Sequence, residues 1–136
     1  MDQRQNYSKT DTPRRTQHAT SRLGGSHLQA DLVAAIKAVL KQRKIARAYT
    51  ELRCTFGKRS IVPDLSVFQW DRILRNVKTG RVANQFLIPP DWAIEILLPK
   101  QASLGIIDKL LHCAQHGTQM GWLIDPAQGG VLTINN

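Results

Sequence analysis

In the segment SHLQADLVAAIKAVLKQRK, residues 26–44, the apolar positions Leu28, Leu32, Ile36, Val39 and Leu40 follow the 3.6-residue period of a helix with one buried stripe. Ser26 and Gln29 at its start have the spacing of a capping box. The period then shortens. In ARAYTELRCTF, residues 46–56, Ala48, Thr50, Leu52 and Cys54 alternate with Arg47, Tyr49, Glu51 and Arg53, which predicts one half-buried strand. Gly57 and Lys58 predict a turn, and SIVPDLSVF, residues 60–68, reads as the second strand of that hairpin, with Pro63 suiting an edge or a strand start. From Trp70 to Asn84 the periodicity is lost, as in a long surface connection. DWAIEIL, residues 91–97, carries Trp92, Ile94 and Ile96 on one face and Ala93, Glu95 and Leu97 on the other; with both faces mostly apolar, it belongs at the centre of a sheet.

A second helix follows over SLGIIDKLLHCAQHG, residues 103–117, with Leu104, Ile107, Leu110, Leu111 and Ala114 inward and Gly117 as its stop. MGWLID, DPAQGG and VLTIN then read as strand, turn and last strand, with Asp125 a turn former. The order helix, three strands, helix, two strands predicts an α/β fold, one mixed central sheet flanked by helices.

Composition narrows the partners. The chain has 136 residues and 42% hydrophobic content, enough for one domain with a core of its own. Its 19 Lys and Arg against 10 Asp and Glu give a formal charge of +9, which favours a polyanion, nucleic acid first. Lys37, Lys41, Arg43, Lys44, Arg47, Arg53, Lys58 and Arg59 concentrate that charge around a single acid, Glu51; a solvated face kept for solubility is the plainer reading. Residues 1–25 are polar, carry Arg14, Arg15 and Arg22, and predict a flexible basic tail ahead of a domain at 26–136. Two cysteines do not make a disulfide framework, no stretch is apolar enough to span a membrane, and the N-terminus has no apolar signal segment. The expected setting is the cytoplasm.

Two carboxylates carry the candidate chemistry. Asp64 follows Pro63 inside one expected strand and Glu95 sits centrally in another, so strand pairing can set them side by side. Burying a carboxylate is costly without a cation or donors, and Mg²⁺ accepts one or two carboxylates with water and phosphate oxygens. The same residues also suit purely structural duty, Asp64 capping a turn and Glu95 pairing with an arginine. His112, Cys113 and His116 have helical zinc spacing but lack a fourth ligand, so Cys113 reads as a small buried residue. Trp92 and Trp122 fall within strands and read as core, whereas Trp70 does not.

SIVPDLSVFQWDRI, PDWAIEILLP and LLHCAQHGTQMGWLIDP, in that order and spacing, resemble successive blocks of the putative restriction endonuclease family within the PD-(D/E)XK nuclease superfamily. The resemblance runs from about Ser26 to Pro126 and implies a restriction-endonuclease-like core and Mg²⁺-dependent (or Mn²⁺-dependent) hydrolysis of DNA. It puts Asp64 and Glu95 in the metal-binding roles, with the Ile96 carbonyl as a further ligand. Three departures stand out. The superfamily lysine position is Leu97 and the family serine position is Leu98, leaving Lys100 on a loop or Lys109 on the second helix as the assisting lysine. No acidic residue before Ser26 replaces that of the family's N-terminal hairpin, though Glu51 offers a third carboxylate unless Arg47 or Arg53 pairs with it. Relatives often continue beyond the last strand. These departures keep an alternative open: a trimmed or degenerate nuclease fold that binds DNA or a protein partner, a second copy in a homodimer included, without cleavage.

Overall fold

A computed structural model describes residues 30–136. The expected tail at 1–25, the Ser26–Gln29 box and Leu28 lie outside the described residues. Helix α1 occupies residues 30–43. Then come β1 (Ala46–Tyr49), β2 (Arg53–Phe56), β3 (Arg59–Ile61), β4 (Leu65–Gln69), a short 3-10 turn (Trp70–Arg72), β5 (Gln85–Phe86), β6 (Trp92–Ile96), α2 (Ser103–Gln115), β7 (Met120–Asp125) and β8 (Gly130–Asn135).

The strands form two sheets, not the single sheet expected. Five make a mixed sheet in the order β1-β4-β6-β7-β8, and three make a smaller one in the order β3-β2-β5. The split falls inside both stretches read as continuous strands. Residues 46–56 divide because Glu51 takes a left-handed backbone, φ 54°, which ends β1 in the large sheet and starts β2 in the small one. No glycine announces that break. Residues 60–68 divide at 62–64, where the chain returns through Pro63 to the large sheet as β4. The β2–β3 hairpin itself forms as expected: Gly57 and Lys58 both have positive φ, 56° and 62°, the conformation of the two-residue turn that matches strand twist. The two-residue strand β5 begins just past the Trp70–Asn84 connection, where no strand is expected from the sequence; it pairs parallel to β2 through Cys54 and Phe86.

β6 is central, antiparallel to β4 and parallel to β7, and α2 makes the crossover that parallel neighbours require. Its alternation separates two cores. Ile94, with Ala46, Ala48, Leu65 and Val67, packs under Val33, Ile36 and Leu40 of α1. Ala93, with Phe68, Leu110, Cys113 and Phe86, builds the other core beneath α2 and the small sheet. The face of α2 differs from expectation. Ile106, Leu110, His112 and Cys113 are buried, whereas Leu104 is 79% exposed and Leu111 is 44% exposed. The small sheet covers the side of α2 near its C-terminal end, where His112 Nε2 bonds the Phe56 carbonyl oxygen at 3.0 Å, so the buried stripe is rotated by about one position. Gly117 ends the helix with φ 107°, and Asp125 Oδ1 accepts the amides of Ala127 and Gln128 in the final turn. Trp70 is exposed, while Trp92 and Trp122 are half-buried beside α1 and line an apolar groove of about 550 Å³. Among the described residues no helix is long and apolar enough to cross a membrane.

Candidate active site

The register of β4 and β6 decides where the two carboxylates lie. Leu65 is opposite Ile94 in an antiparallel ladder, so one further step brings Asp64, just before β4, beside Glu95, whose side chain lies on the α2 face. The backbone closes the arrangement: Asp64 Oδ2 accepts the Ile96 N–H at 2.8 Å. In a strand a residue's N–H and C=O point to the same side, so the Ile96 carbonyl also faces Asp64. Leu97, at the superfamily's lysine position, is half-buried against the α2-side core. The cation arrives from the helix instead. Lys109 Nζ lies 2.7 Å from Glu95 Oε1.

Glu95 is a carboxylate in a dry place, its side chain 4% exposed. Burial is the main cause that pushes its pKa up from 4.5 to about 7; the Lys109 hydrogen bond and charge oppose the rise, and the neighbouring Asp64 adds to it. The close ion pair and the raised pKa point in opposite directions, and desolvation outweighs one partly exposed lysine. Two acids facing one lysine leave a site that gains from further positive charge.

Asp64 is more open. It lines a cleft of about 840 Å³ with Ala30 and Val33 of α1, Thr50 and Glu51 of the β1–β2 connection, and Val62 and Pro63. Glu51 thus shares a cleft with Asp64, and among the described residues it has no ion pair with Arg47 or Arg53. It does not complete a metal cage: no three His, Cys, Asp or Glu side chains converge among the described residues. Two carboxylates and a nearby backbone carbonyl offer only oxygen atoms, a chemistry that would fit Mg²⁺, which keeps several waters and takes one or two carboxylates.

Of the residues singled out in the sequence, Asp64, Glu95, Ile96 and Lys109 come together. Lys100 does not. It is exposed on the loop before α2, with φ 65°, and among the described residues it contacts neither carboxylate. The histidines are not ligands either: His112 bonds the Phe56 carbonyl oxygen and His116 Nδ1 that of His112 at 2.8 Å, while Cys113 is fully buried with its thiol pKa pushed up to about 12 by that burial. Sequence reading passed over Asp91, the other acid of the β6 decapeptide. Its role is structural: Arg72 lies 2.6 Å away and the Gln69 amide donates to it at 2.7 Å. Its place after two prolines, before a strand, was the available signal.

The family model for "Putative restriction endonuclease", Uma2, matches residues 18–134. The chain belongs to this family. A crystal structure of "a putative nuclease belonging to DUF820" from Anabaena variabilis ATCC 29413 is 48% identical and superposes with a TM-score of 0.71, covering 82% of this chain and 67% of that one. No curated protein matches. Within the Uma2 fold, Asp64, Glu95 and Lys109 form the group that joins β4, β6 and α2.

Proposed function

We propose that this Uma2 protein is a metal-dependent endonuclease that hydrolyses DNA phosphodiester bonds at Asp64 and Glu95. The observation that carries this reading is Asp64 anchored on the Ile96 amide beside Glu95, with Lys109 at 2.7 Å. Asp64, Glu95 and the Ile96 carbonyl would hold Mg²⁺ or Mn²⁺. Such an ion would supply polarisation of the phosphate and a lowered pKa for a bound water. Asp64, fixed through one oxygen by the Ile96 amide, is held at the wall of the cleft. Lys109 compensates Glu95, and its ammonium, which has further N–H donors, would also be placed to stabilise charge on a phosphate oxygen. A lysine on α2 can do this because Leu97 leaves the strand position apolar and filled. The basic residues between Lys37 and Arg59 supply attraction for the DNA backbone.

Supercoiled plasmid incubated with the full chain is expected to nick in Mg²⁺ or Mn²⁺ and to remain intact in EDTA. Asp64→Ala and Glu95→Gln should each abolish nicking while circular dichroism stays that of a folded protein. DNA binding without metal-dependent nicking would instead establish the degenerate, non-cleaving reading.

A further inference from the structure

The basic run between Lys37 and Arg59 does not form one surface. Arg59 is spent on Asp108 of α2 at 2.8 Å. Arg47 lies over the ring of Tyr49, 5.5 Å from its centroid, on the α2 side of the large sheet, and Arg53 and Lys58 belong to the small sheet. What remains lies on α1 and its end, where Arg43 lines the apolar groove with Ile36 and Leu40 and three lysines form a line. Lys37 and Lys41 are one helical turn apart on the same flank, and Lys44 continues the line at the helix end, where its amide still bonds the Leu40 carbonyl oxygen at 3.1 Å. None of the three pairs with an acid among the described residues.

The line starts at the candidate active site. Lys37 Nζ reaches Thr50 Oγ1 at 3.5 Å, and Thr50 lines the cleft that contains Asp64. From there the lysines lead away beside β1, the edge strand of the large sheet. A helix rises about 6 Å in four residues, so successive ammonium groups are spaced on the scale of neighbouring phosphates of one strand. Resting on the nuclease reading, we infer that Lys37, Lys41 and Lys44 form a track that seats the phosphate backbone of the nucleic acid whose scissile bond lies over Asp64 and Glu95. Charge complementarity names the occupant: a row of ammonium groups opening from a cleft that admits a phosphodiester. The plainer role for Lys41 and Lys44 is to favour the C-terminal end of α1 by their charge. That role stabilises the helix and contributes nothing to the salt dependence of binding.

The salt dependence therefore tests the track. Binding of the full chain to a fluorescent DNA duplex is measured in EDTA, which prevents cleavage, from low to moderate salt. A double variant, Lys41→Gln with Lys44→Asn, is compared with a control of equal charge loss, Lys78→Gln with Arg81→Gln, on the exposed loop after β4. Asparagine is used at 44 because that backbone has φ 53° and asparagine tolerates it. The track predicts that the slope of log affinity against log salt becomes shallower by about two in the α1 variant, each lysine answering for about one phosphate, with little change in the control. An unchanged slope, an equal loss in both variants, or no duplex binding by the wild-type chain overturns it. Plasmid nicking by the same proteins separates the two readings. Metal-dependent nicking lost in Asp64→Ala, together with an unchanged slope in the α1 variant, would remove the track and leave the nuclease standing. A changed slope without any nicking would do the reverse.

Discussion

Glu95 holds a proton more tightly than an exposed glutamate because water is excluded from it, and Lys109 recovers only part of that loss. Its pKa lies near 7 folded and near 4.5 unfolded. Between those values the native chain binds more protons than the unfolded one, so stability falls as pH rises through this window and levels off above about 7. At about 1.4 kcal/mol per pH unit, the full effect is on the order of 3 kcal/mol. In EDTA, thermal unfolding is expected to move to lower temperature between pH 5 and pH 8, and Glu95→Gln should flatten that dependence; an identical pH slope in the variant would contradict it. Where the metal needs the ionised carboxylate, its affinity rises over the same window. Lys109 carries a separate expectation. Lys109→Met should reduce nicking by about 100-fold or more, the scale for losing one charge stabiliser in a closed site, while Lys100→Ala should leave it near wild type. The sequence left these two lysines undivided. Leu97 showed that the strand position was vacated, but choosing the replacement depended on the rotation of α2, which the packing of the small sheet against its far end determines.

At the scale of elements, the β2–β3 hairpin fits against the C-terminal end of α2, and one glycine makes this possible. A Cβ on Gly57 would lie 2.2 Å from His116 Nε2, on a backbone with φ 56°. Gly57→Ala is therefore expected to cost about 2 kcal/mol or more, from strain and from displacing a ring that packs, tilted, against Phe56 and His112. Gly80, with φ 69°, has nothing within 4 Å of such a Cβ, so Gly80→Ala should cost only the backbone term, about 1 kcal/mol. Urea unfolding of the two variants checks the difference; equal losses would show that the His116 contact is irrelevant. Period and turn chemistry made the central strand β6, the hairpin turn and the last hairpin legible in the sequence. They could not reveal that ARAYTELRCTF changes sheets at Glu51, because alternation continues through the break and the residue with positive φ is not a glycine. Nor could they find β5, whose two residues carry no period at all.

The whole molecule is organised around the strand ends where β4 begins and β6 finishes. α1 covers one face of the large sheet, α2 and the small sheet cover the other, and at this end Asp64 lines the cleft while Glu95 lies buried behind it against Lys109. This placement gives a buried acid and an open one at a single point, with a lysine supplied from a neighbouring layer. Motif order alone led to the two acids and to the family. It left undecided whether they meet, and strand register supplies the answer. The claim that matters most is that Asp64 and Glu95 share one divalent ion. Crystals of the full chain soaked in Mn²⁺ and measured for anomalous scattering test it directly. A single peak is expected within about 2.0–2.3 Å of a carboxylate oxygen of each residue, absent in Asp64→Ala, with Lys109 released from Glu95. A peak that touches only one of the two acids, or no peak while the Lys109–Glu95 pair stays closed, would contradict it.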